Sequence, residues 1–400
     1  MEKQKVCIIG GGLTGLVTAV ALSKINLKID LIGVNTDQNF ESNRTTAISQ
    51  ENFNFLKQSN ILSLPPSEFW LCSKMKLYSE TKNKKISEIF DFSQDKNENT
   101  KILYMINNFK IREYLLRKIR KEKFIQIKKQ KKISNIFNSG ILKCVKFNSQ
   151  DKDKSKSKSK YNLIILCTGK NSNLSEKFFN NKGVIDKSYN EISITTTLSH
   201  TQVNNNTARQ IFLDNGILAL LPISSTKTSI VWSVKKNYIN ENKIKRDLFV
   251  KQSILFYVNI FLKKIKFISK LEFKDLSLIV RNKYYKERIL LFGDALHTVH
   301  PLAGQGFNMV LRDLSSLKKI FKNKISLGLD VGSLDVLSEF SKEIKPRNII
   351  YALGIDFIKS IFSFKNKSFK KIRNQMITKM DKNKLIKNLF FDLADKGFKF

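Results

Sequence analysis

Glycines at positions 10, 11, 12 and 15 stand where a wholly apolar run, Val6 to Ile9, gives way to apolar residues at helical intervals, Leu13, Leu16, Val17, Val20 and Ala21. Lys28 to Ile32 then returns to an extended pattern, so the segment reads strand, tight turn, helix, strand. Gly10, Gly12 and Gly15 complete a GxGxxG in the one context that gives this pattern physical meaning. The first glycine permits the turn, the second lets backbone approach a pyrophosphate, and the third lets helix and strand close together. Leu13 and Thr14 open the helix, whose free N–H groups and positive dipole end suit phosphate.

The acidic residue that usually follows such a turn by about 20 positions, on a ribose hydroxyl, has no counterpart here. The second strand ends Leu31-Ile32-Gly33, with Asp30 and Asp37 on either side of the expected place. Soon after comes Arg44-Thr45-Thr46-Ala47-Ile48. Arg44 is isolated in a lysine-dominated chain, and its fork suits a pyrophosphate or acidic substrate better than a lysine would; a solvated surface arginine is the alternative.

With 400 residues and 42% hydrophobic content the chain can bury a large core, while 16 Gly, 5 Pro and 30 Phe exclude collagen-like and disordered classes. The balance of 72 basic against 34 acidic residues, a formal +38, would attract nucleic acid or anionic lipid. Only 11 of the basic residues are arginine and no recognition module is apparent, so diffuse lysine enrichment explains the charge and no specific nucleic-acid partner is expected. Cys7, Cys72, Cys144 and Cys167 are too far apart for a disulfide framework or zinc ribbon, which points to a reducing cytoplasm. Val6 to Leu22, with Ala19-Val20-Ala21, mimics a signal peptide, but cleavage there would remove the glycine turn. No other run reaches the roughly 18 apolar residues that a membrane span requires; the nearest, around Ile254 to Leu262, is about half that.

Tyr161 to Cys167 reads as another buried strand, preceded by a solvated loop from Asp151 to Lys160. Between Glu191 and Val234 the texture becomes β-rich, with Ile192–Leu198, Gly216–Pro222 and Ser229–Val234 as strands of an antiparallel sheet. Helical spacing follows over 244–269, an extended run over Phe273–Arg281, a buried strand over Arg288–Phe292, and a helix over 305–322. The expected fold is α/β. A Rossmann-like, discontinuous dinucleotide domain spans 1–75, 100–175 and 275–335, and a second domain of 76–99 and 176–274 is built on the antiparallel sheet. Basic, amphipathic helices occupy 336–400.

The most specific stretch is GDALHTVHPLAGQGFNMVLRD, from Gly293 to Asp313. A buried strand runs into Gly293-Asp294, which sets Asp294 at the strand's carboxyl end to accept hydrogen bonds from a polyol such as a ribityl chain. Gly304, Gln305, Gly306, Phe307 and Asn308 would place helix N-terminal N–H groups against an anion such as the N1/O2 edge of a reduced isoalloxazine. His297 and His300 lack a third nearby ligand or an HExxH helix, so loop packing and a pocket role are favoured over metal.

The glycine turn, the Arg44 segment and the Gly293–Asp313 block resemble the ubiquinone-biosynthesis hydroxylases, FAD-dependent monooxygenases of the para-hydroxybenzoate hydroxylase type, over nearly the whole chain. The resemblance implies an FAD cofactor contacted by Arg44, Asp294 and Arg112, the last in Ile111-Arg112-Glu113, with the loop from Pro301 to Asn308 lining the isoalloxazine. It implies NAD(P)H as electron donor, O2 added at flavin C4a to form a hydroperoxyflavin, and hydroxylation of a prenylated phenol. Leu218, Leu220, Leu221, Pro222 and Trp232 of the second domain, with His300 and Pro301, are expected as the substrate pocket; sheet-core packing is the alternative for each apolar residue. No catalytic base stands out.

Two departures mark the chain: Gly33, and Thr168 in Leu166-Cys167-Thr168-Gly169, where the family has Gly-Ala-Asp-Gly. They leave a non-catalytic FAD-binding scaffold, or another aromatic hydroxylase on the same fold, as rival readings. The basic tail, with Lys365, Lys367, Lys370, Lys371 and Arg373 beside Phe362, Phe364 and Phe369, would suit anionic headgroups at an inner-membrane surface, or a ubiquinone-biosynthesis complex. Packing onto the FAD domain is the other reading.

Overall fold

A strand reading Leu-Ile-Ile-Leu with no polar face must be covered on both sides, and β12 (Leu163–Leu166) lies fully buried at the middle of a parallel sheet. In this computed structural model, which describes residues 3–34, 44–81, 84–92, 101–128, 133–147, 158–170, 172–179, 183–240, 246–363 and 367–381, β12 pairs with β1 (Lys5–Ile9) on one side. On its other side it pairs with β20 (Ile289–Leu291). The sheet continues from β1 through β2 (Lys28–Ile32) to β8 (Ile125–Lys128), and β19 (Tyr285–Lys286) closes the far edge antiparallel. Helix α1 (Leu13–Ser23) is buried from Gly15 to Ser23, because α3 (Asn108–Lys121) and α7 (Gln305–Ser326) flank it.

Asp30 sits inside this apolar layer, and its burial is tolerated because every neighbour answers it. Tyr161 Oη donates to Oδ2 at 2.8 Å, and the Lys5 and Lys128 ammonium groups lie 3.0 and 3.7 Å away. Tyr161 ends β11 (Lys158–Tyr161), which pairs with β10 (Leu142–Phe147), itself paired with β9 (Ile133–Ser139). The expected loop over 151–160 therefore ends as strand: the Lys158–Tyr161 backbone finds partners along β10 despite its polar side chains. Residues 151–157 lie outside the described residues.

A second antiparallel layer, β3 (Thr45–Ser49), β7 (Leu103–Asn107) and β4 (Trp70–Cys72), leads into α2 (Gln50–Gln58) and connects the parallel sheet to the larger one. That sheet runs β21 (His297–Thr298), β18 (Glu272–Arg281), β13 (Gly183–Ser199), β16 (Lys227–Lys235), β15 (Gly216–Ser224), β14 (Thr207–Leu213), β5 (Lys74–Glu80), β6 (Ile86–Asp91), with β17 (Lys266–Phe267) beside β13. Strand alternation gives it two faces. Leu218, Leu220, Ile230, Trp232 and Val234 pack beneath α6 (Arg246–Val258), while Ala219, Leu221 and Val231 pack toward Ala47 and Met105 of the β3 layer. The short helices α4 (Asn173–Phe179) and α5 (Lys236–Asn240) bracket the sheet's connections. As expected, the fold is α/β with a helical C-terminal region, α8 (Leu334–Ser363) and α9 (Lys367–Asp381).

Asp30→Ala leaves the Tyr161 hydroxyl buried without its acceptor, and should cost about 2–3 kcal/mol against about 1 for Tyr161→Phe. Urea midpoints of the two variants and the parent protein measure the difference.

Candidate flavin site

At the β1–α1 turn, backbone lies against backbone at distances no side chain would permit. A Cβ on Gly15 would stand 1.8 Å from the Gly10 carbonyl oxygen, one on Gly10 2.2 Å from that of Cys167, and one on Gly11 2.3 Å from that of Gly33. Gly10, at φ +132°, and Gly33, at φ +79°, also adopt conformations that suit glycine. Gly12 differs: it is the N-cap of α1, no side chain caps the helix, and a Cβ there would have nothing within 4 Å. Three glycines thus close the turn, and the fourth keeps the helix N-terminus open to an anion.

The second glycine turn meets the first. Gly293, at φ +65°, packs so closely on Thr14 that a Cβ would lie 2.4 Å from Thr14 Cγ2. Asp294 follows it, exposed at the carboxyl end of β20. Cys167 lies buried between the two turns, where burial pushes its thiol pKa up and leaves it a neutral packing group. The chain positions that the sequence separates by about 280 residues are neighbours because β1, β12 and β20 run side by side and parallel.

From Pro301 a short turn over Leu302–Gly304 enters α7. Gly304, at φ +68°, caps α7, and a Cβ there would be 3.1 Å from Ala47 Cβ. Asn308 fastens the first turn of α7 to the β3 layer. Its Nδ2 donates to Ala47 O at 2.9 Å, and its Oδ1 accepts from Ser49 N and Asn52 Nδ2, both at 3.1 Å. Asn308 is fully buried, so its side chain holds the loop rather than facing an open cleft. Gln305 is also buried, accepting from Tyr351 Oη and, at 3.3 Å, from an Arg312 guanidinium nitrogen. Phe307 packs partly into the core, and a Cβ on Gly306 would meet nothing within 4 Å.

Arg44 opens β3 half-exposed, its Nε 3.2 Å from Glu272 Oε2 of β18, so it stands where the β3 layer meets the large sheet. Arg112 is buried on α3, the helix beside α1. Asp30 is committed to Tyr161 and two lysines and does not serve a ribose; Asp37 lies outside the described residues. Thr168 Oγ1 lies 3.1 Å from Ser175 Oγ, which ties the departure from the family motif to α4. Lys170 reaches across to Ser277 Oγ at 3.0 Å, joining this segment to the large sheet.

The expected pocket wall needs correction. Leu220 and Trp232 face α6, away from the turn at Gly304, with Leu218 beside them. Pro222 continues the Leu220 register, opposite Thr228. The opposite face carries Ala219, Leu221 and Val231 toward Ala47, which itself touches Gly304. Gly216–Ser224 is apolar on both faces, so its sequence contains no signal for which alternate set looks inward. His300 is fully buried, its Nε2 3.2 Å from Glu191 Oε2, and His297 is likewise committed to Asp313 at 2.8 Å.

An open helix N-terminus, a cradle at Gly12 that a side chain would narrow, and an exposed carboxylate at the next strand end fit the pyrophosphate and ribityl parts of FAD. Such a site, in a chain with the family match and relatives that follow, is that of an FAD-dependent monooxygenase. The chain belongs to the FAD binding domain family, whose model matches residues 3–326. It is 24% identical to the mitochondrial ubiquinone biosynthesis monooxygenase COQ6 of Dictyostelium discoideum, over 97% of this chain and 90% of that protein. Human COQ6 is 30% identical over 44% of this chain and 45% of its own length, and the ubiquinone hydroxylase UbiL of Rhodospirillum rubrum 26% over 50% and 46%. Among solved structures, p-nitrophenol 4-monooxygenase PnpA of Pseudomonas putida superposes with a TM-score of 0.80 at 15% identity, covering all of both chains. Klebsiella pneumoniae HpxO, complexed with FAD and uric acid, gives 0.71 at 14% identity over 98% of this chain and 96% of that one.

The two kinds of glycine should separate experimentally. Gly12→Ala is expected to leave stability of the cofactor-free protein within about 0.5 kcal/mol of the parent while weakening FAD binding. Gly15→Ala should destabilise the fold itself by more than about 3 kcal/mol. Thermal unfolding without FAD, set beside FAD titration by fluorescence quenching, distinguishes them.

Proposed function

We propose that the protein hydroxylates the aromatic ring of a prenylated phenol in ubiquinone biosynthesis, with NAD(P)H and O2 as co-substrates. The observation that carries the reading is the convergence of Thr14 with Gly293, and of Ala47 with Gly304, beneath the Ala219, Leu221 and Val231 face of the large sheet. The names of the COQ6 and UbiL relatives support the choice of substrate class.

Bound FAD supplies the oxygen activation and accepts the electrons of the nicotinamide donor. The chain's own residues bind, orient and exclude water. The first turn of α1, opened by Gly12, Leu13 and Thr14, presents N–H groups to the pyrophosphate; Asp294 accepts from the ribityl hydroxyls; and Arg44 and Arg112 supply positive charge. Pro301 and Gly304 to Gly306 form the wall beside the ring system, held by Asn308 from behind. Ala219, Leu221 and Val231 offer an apolar surface to the substrate ring, where dryness favours oxygen transfer over peroxide release.

No helix among the described residues is long and apolar enough to cross a membrane. A prenylated substrate dissolved in lipid must then be met at the membrane surface. Helix α9 suits this: Arg373 faces inward to Ser79 Oγ at 3.0 Å and onto the Phe362 ring, while Phe369, Ile372 and Met376 are exposed at helical intervals among lysines. Of the other tail residues singled out from sequence, Lys365 and Phe364 lie outside the described residues.

The purified protein should be yellow, oxidise NADH or NADPH faster with a prenylated phenol present, and yield a product heavier by one oxygen atom in mass analysis. Yellow protein without stimulated donor oxidation would instead support the scaffold reading. Ile372→Asp with Met376→Asp should reduce co-sedimentation with vesicles containing phosphatidylglycerol by several-fold, about 1 kcal/mol of lost apolar burial or more, and leave hydroxylation of a short-chain phenol in detergent unchanged.

A further inference from the structure

The family match ends at residue 326, yet α8, which begins after it, holds the Gly293–Asp313 block at several points along one stripe. Asn348 Nδ2 donates to Asp313 Oδ2 at 3.0 Å, the same oxygen that His297 Nε2 engages at 2.8 Å. Tyr351 donates to Gln305 Oε1, Ala352 and Ile355 pack against Val299 and Leu302, and Lys359 Nζ lies 3.0 Å from Glu191 Oε1. Positions 348, 351 or 352, 355 and 359 share one face of a helix.

The last of these ties differs from the rest because it is built of buried charge. The ladder of β13 and β18 slips between Ser188 and Glu191, and Asn190 adopts φ +52°, an irregularity that re-aims the following side chain inward. Both oxygens of Glu191 are then used, Oε1 by Lys359 and Oε2 by His300 Nε2 at 3.2 Å. Tyr189 lines the same space, with Lys359 4.0 Å above its ring and His300 edge-on at 5.3 Å. Burial works against the Glu191 carboxylate, but its bond to His300 and the charge of Lys359 hold its pKa below the usual value; burial pulls that of His300 down. The cluster is therefore an ammonium, a carboxylate and a neutral imidazole, and donation to Glu191 puts the imidazole proton on Nε2. Nδ1 remains a buried acceptor with no partner among the described residues.

We infer that Lys359 is a positioning residue of the flavin site: by neutralising Glu191 it keeps His300 an uncharged ring protonated on Nε2, and so sets the Pro301–Gly304 turn that follows. The inference rests on the proposed FAD reading for its consequence, but not for its chemistry. Without the ammonium, the buried carboxylate is left hydrogen-bonded to His300, with Lys235 of β16 opposite it in the ladder, and draws a proton onto the ring. The groups facing the imidazole are Glu191 and Tyr189 from β13 and Lys359 and Asp356 from α8, and Lys187 engages Asp356 at 3.1 Å. Removing Lys359 thus moves positive charge from the helix to the residue before Pro301, where it would favour reduced, anionic flavin.

The test uses the full chain with histidine ring nitrogens labelled with 15N; its 3 histidines are assigned with His300→Gln. In cofactor-free parent protein at pH 7, His300 should show one protonated and one bare nitrogen. In Lys359→Met the His300 pKa should rise, so that the ring takes its second proton at a higher pH than in the parent, and Lys359→Arg should restore the parent pattern. In the FAD-loaded protein, Lys359→Met should shift the flavin midpoint potential upward and weaken FAD binding roughly two- to thirty-fold. Lys359→Gln serves the same readouts should the Met variant fail to fold. A His300 titration that does not move in folded Lys359→Met or Lys359→Gln overturns the inference, as does an unchanged flavin potential. Failure of the parent protein to take up FAD would instead overturn the proposed function and leave the ring-protonation result standing.

Discussion

Main chain can touch main chain only where no Cβ stands between, and the site depends on that constraint. At Gly15 and Gly10 the closeness lets α1 start directly above the carboxyl ends of β1 and β12. At Gly293 the same closeness lets the end of β20 dock on Thr14. A single methyl group at these positions would push the helix from the sheet and separate the two turns. The chemistry expected of a flavin crevice follows from this geometry: an open helix N-terminus for phosphate, a carboxylate at the next strand end, and an apolar roof supplied by another sheet.

Buried polar groups hold the layers in register. Asp30 joins β2 to β11, Asn308 joins α7 to the β3 layer, Asp313 joins His297 to α8, and Glu191 joins the large sheet to both His300 and α8. Each costs desolvation that its partners offset, and each accepts only one arrangement of neighbours. Apolar contacts alone would tolerate sliding between the layers; directional bonds do not. Helix α8, outside the family match, thereby becomes part of the frame around the Pro301–Gly304 turn.

The βαβ unit and the buried strand at Leu163–Leu166 were legible because local pattern decides them: an apolar run with no polar face has to lie at the centre of a sheet, and clustered glycines have to form a tight turn. The Gly293–Asp313 block was legible as a strand end and helix start for the same reason. Its internal roles were not. Asn308 and Gln305 look equally available in the sequence, but both are buried and bonded to residues from β3, α2 and α8. Lys359 gave no sign of its part, being one lysine among many in a basic helix.

Sequence by itself determined the class of fold and the two glycine turns, since those depend on periodicity and on the absence of side chains at particular places. Only the tertiary structure decided which face of Gly216–Ser224 looks toward Ala47, that Asp30 serves Tyr161 rather than a ribose, and that a lysine near the end of the chain neutralises a glutamate in the middle. Those outcomes depend on which distant groups burial brings within hydrogen-bonding reach, and a one-dimensional pattern contains no distances between strands.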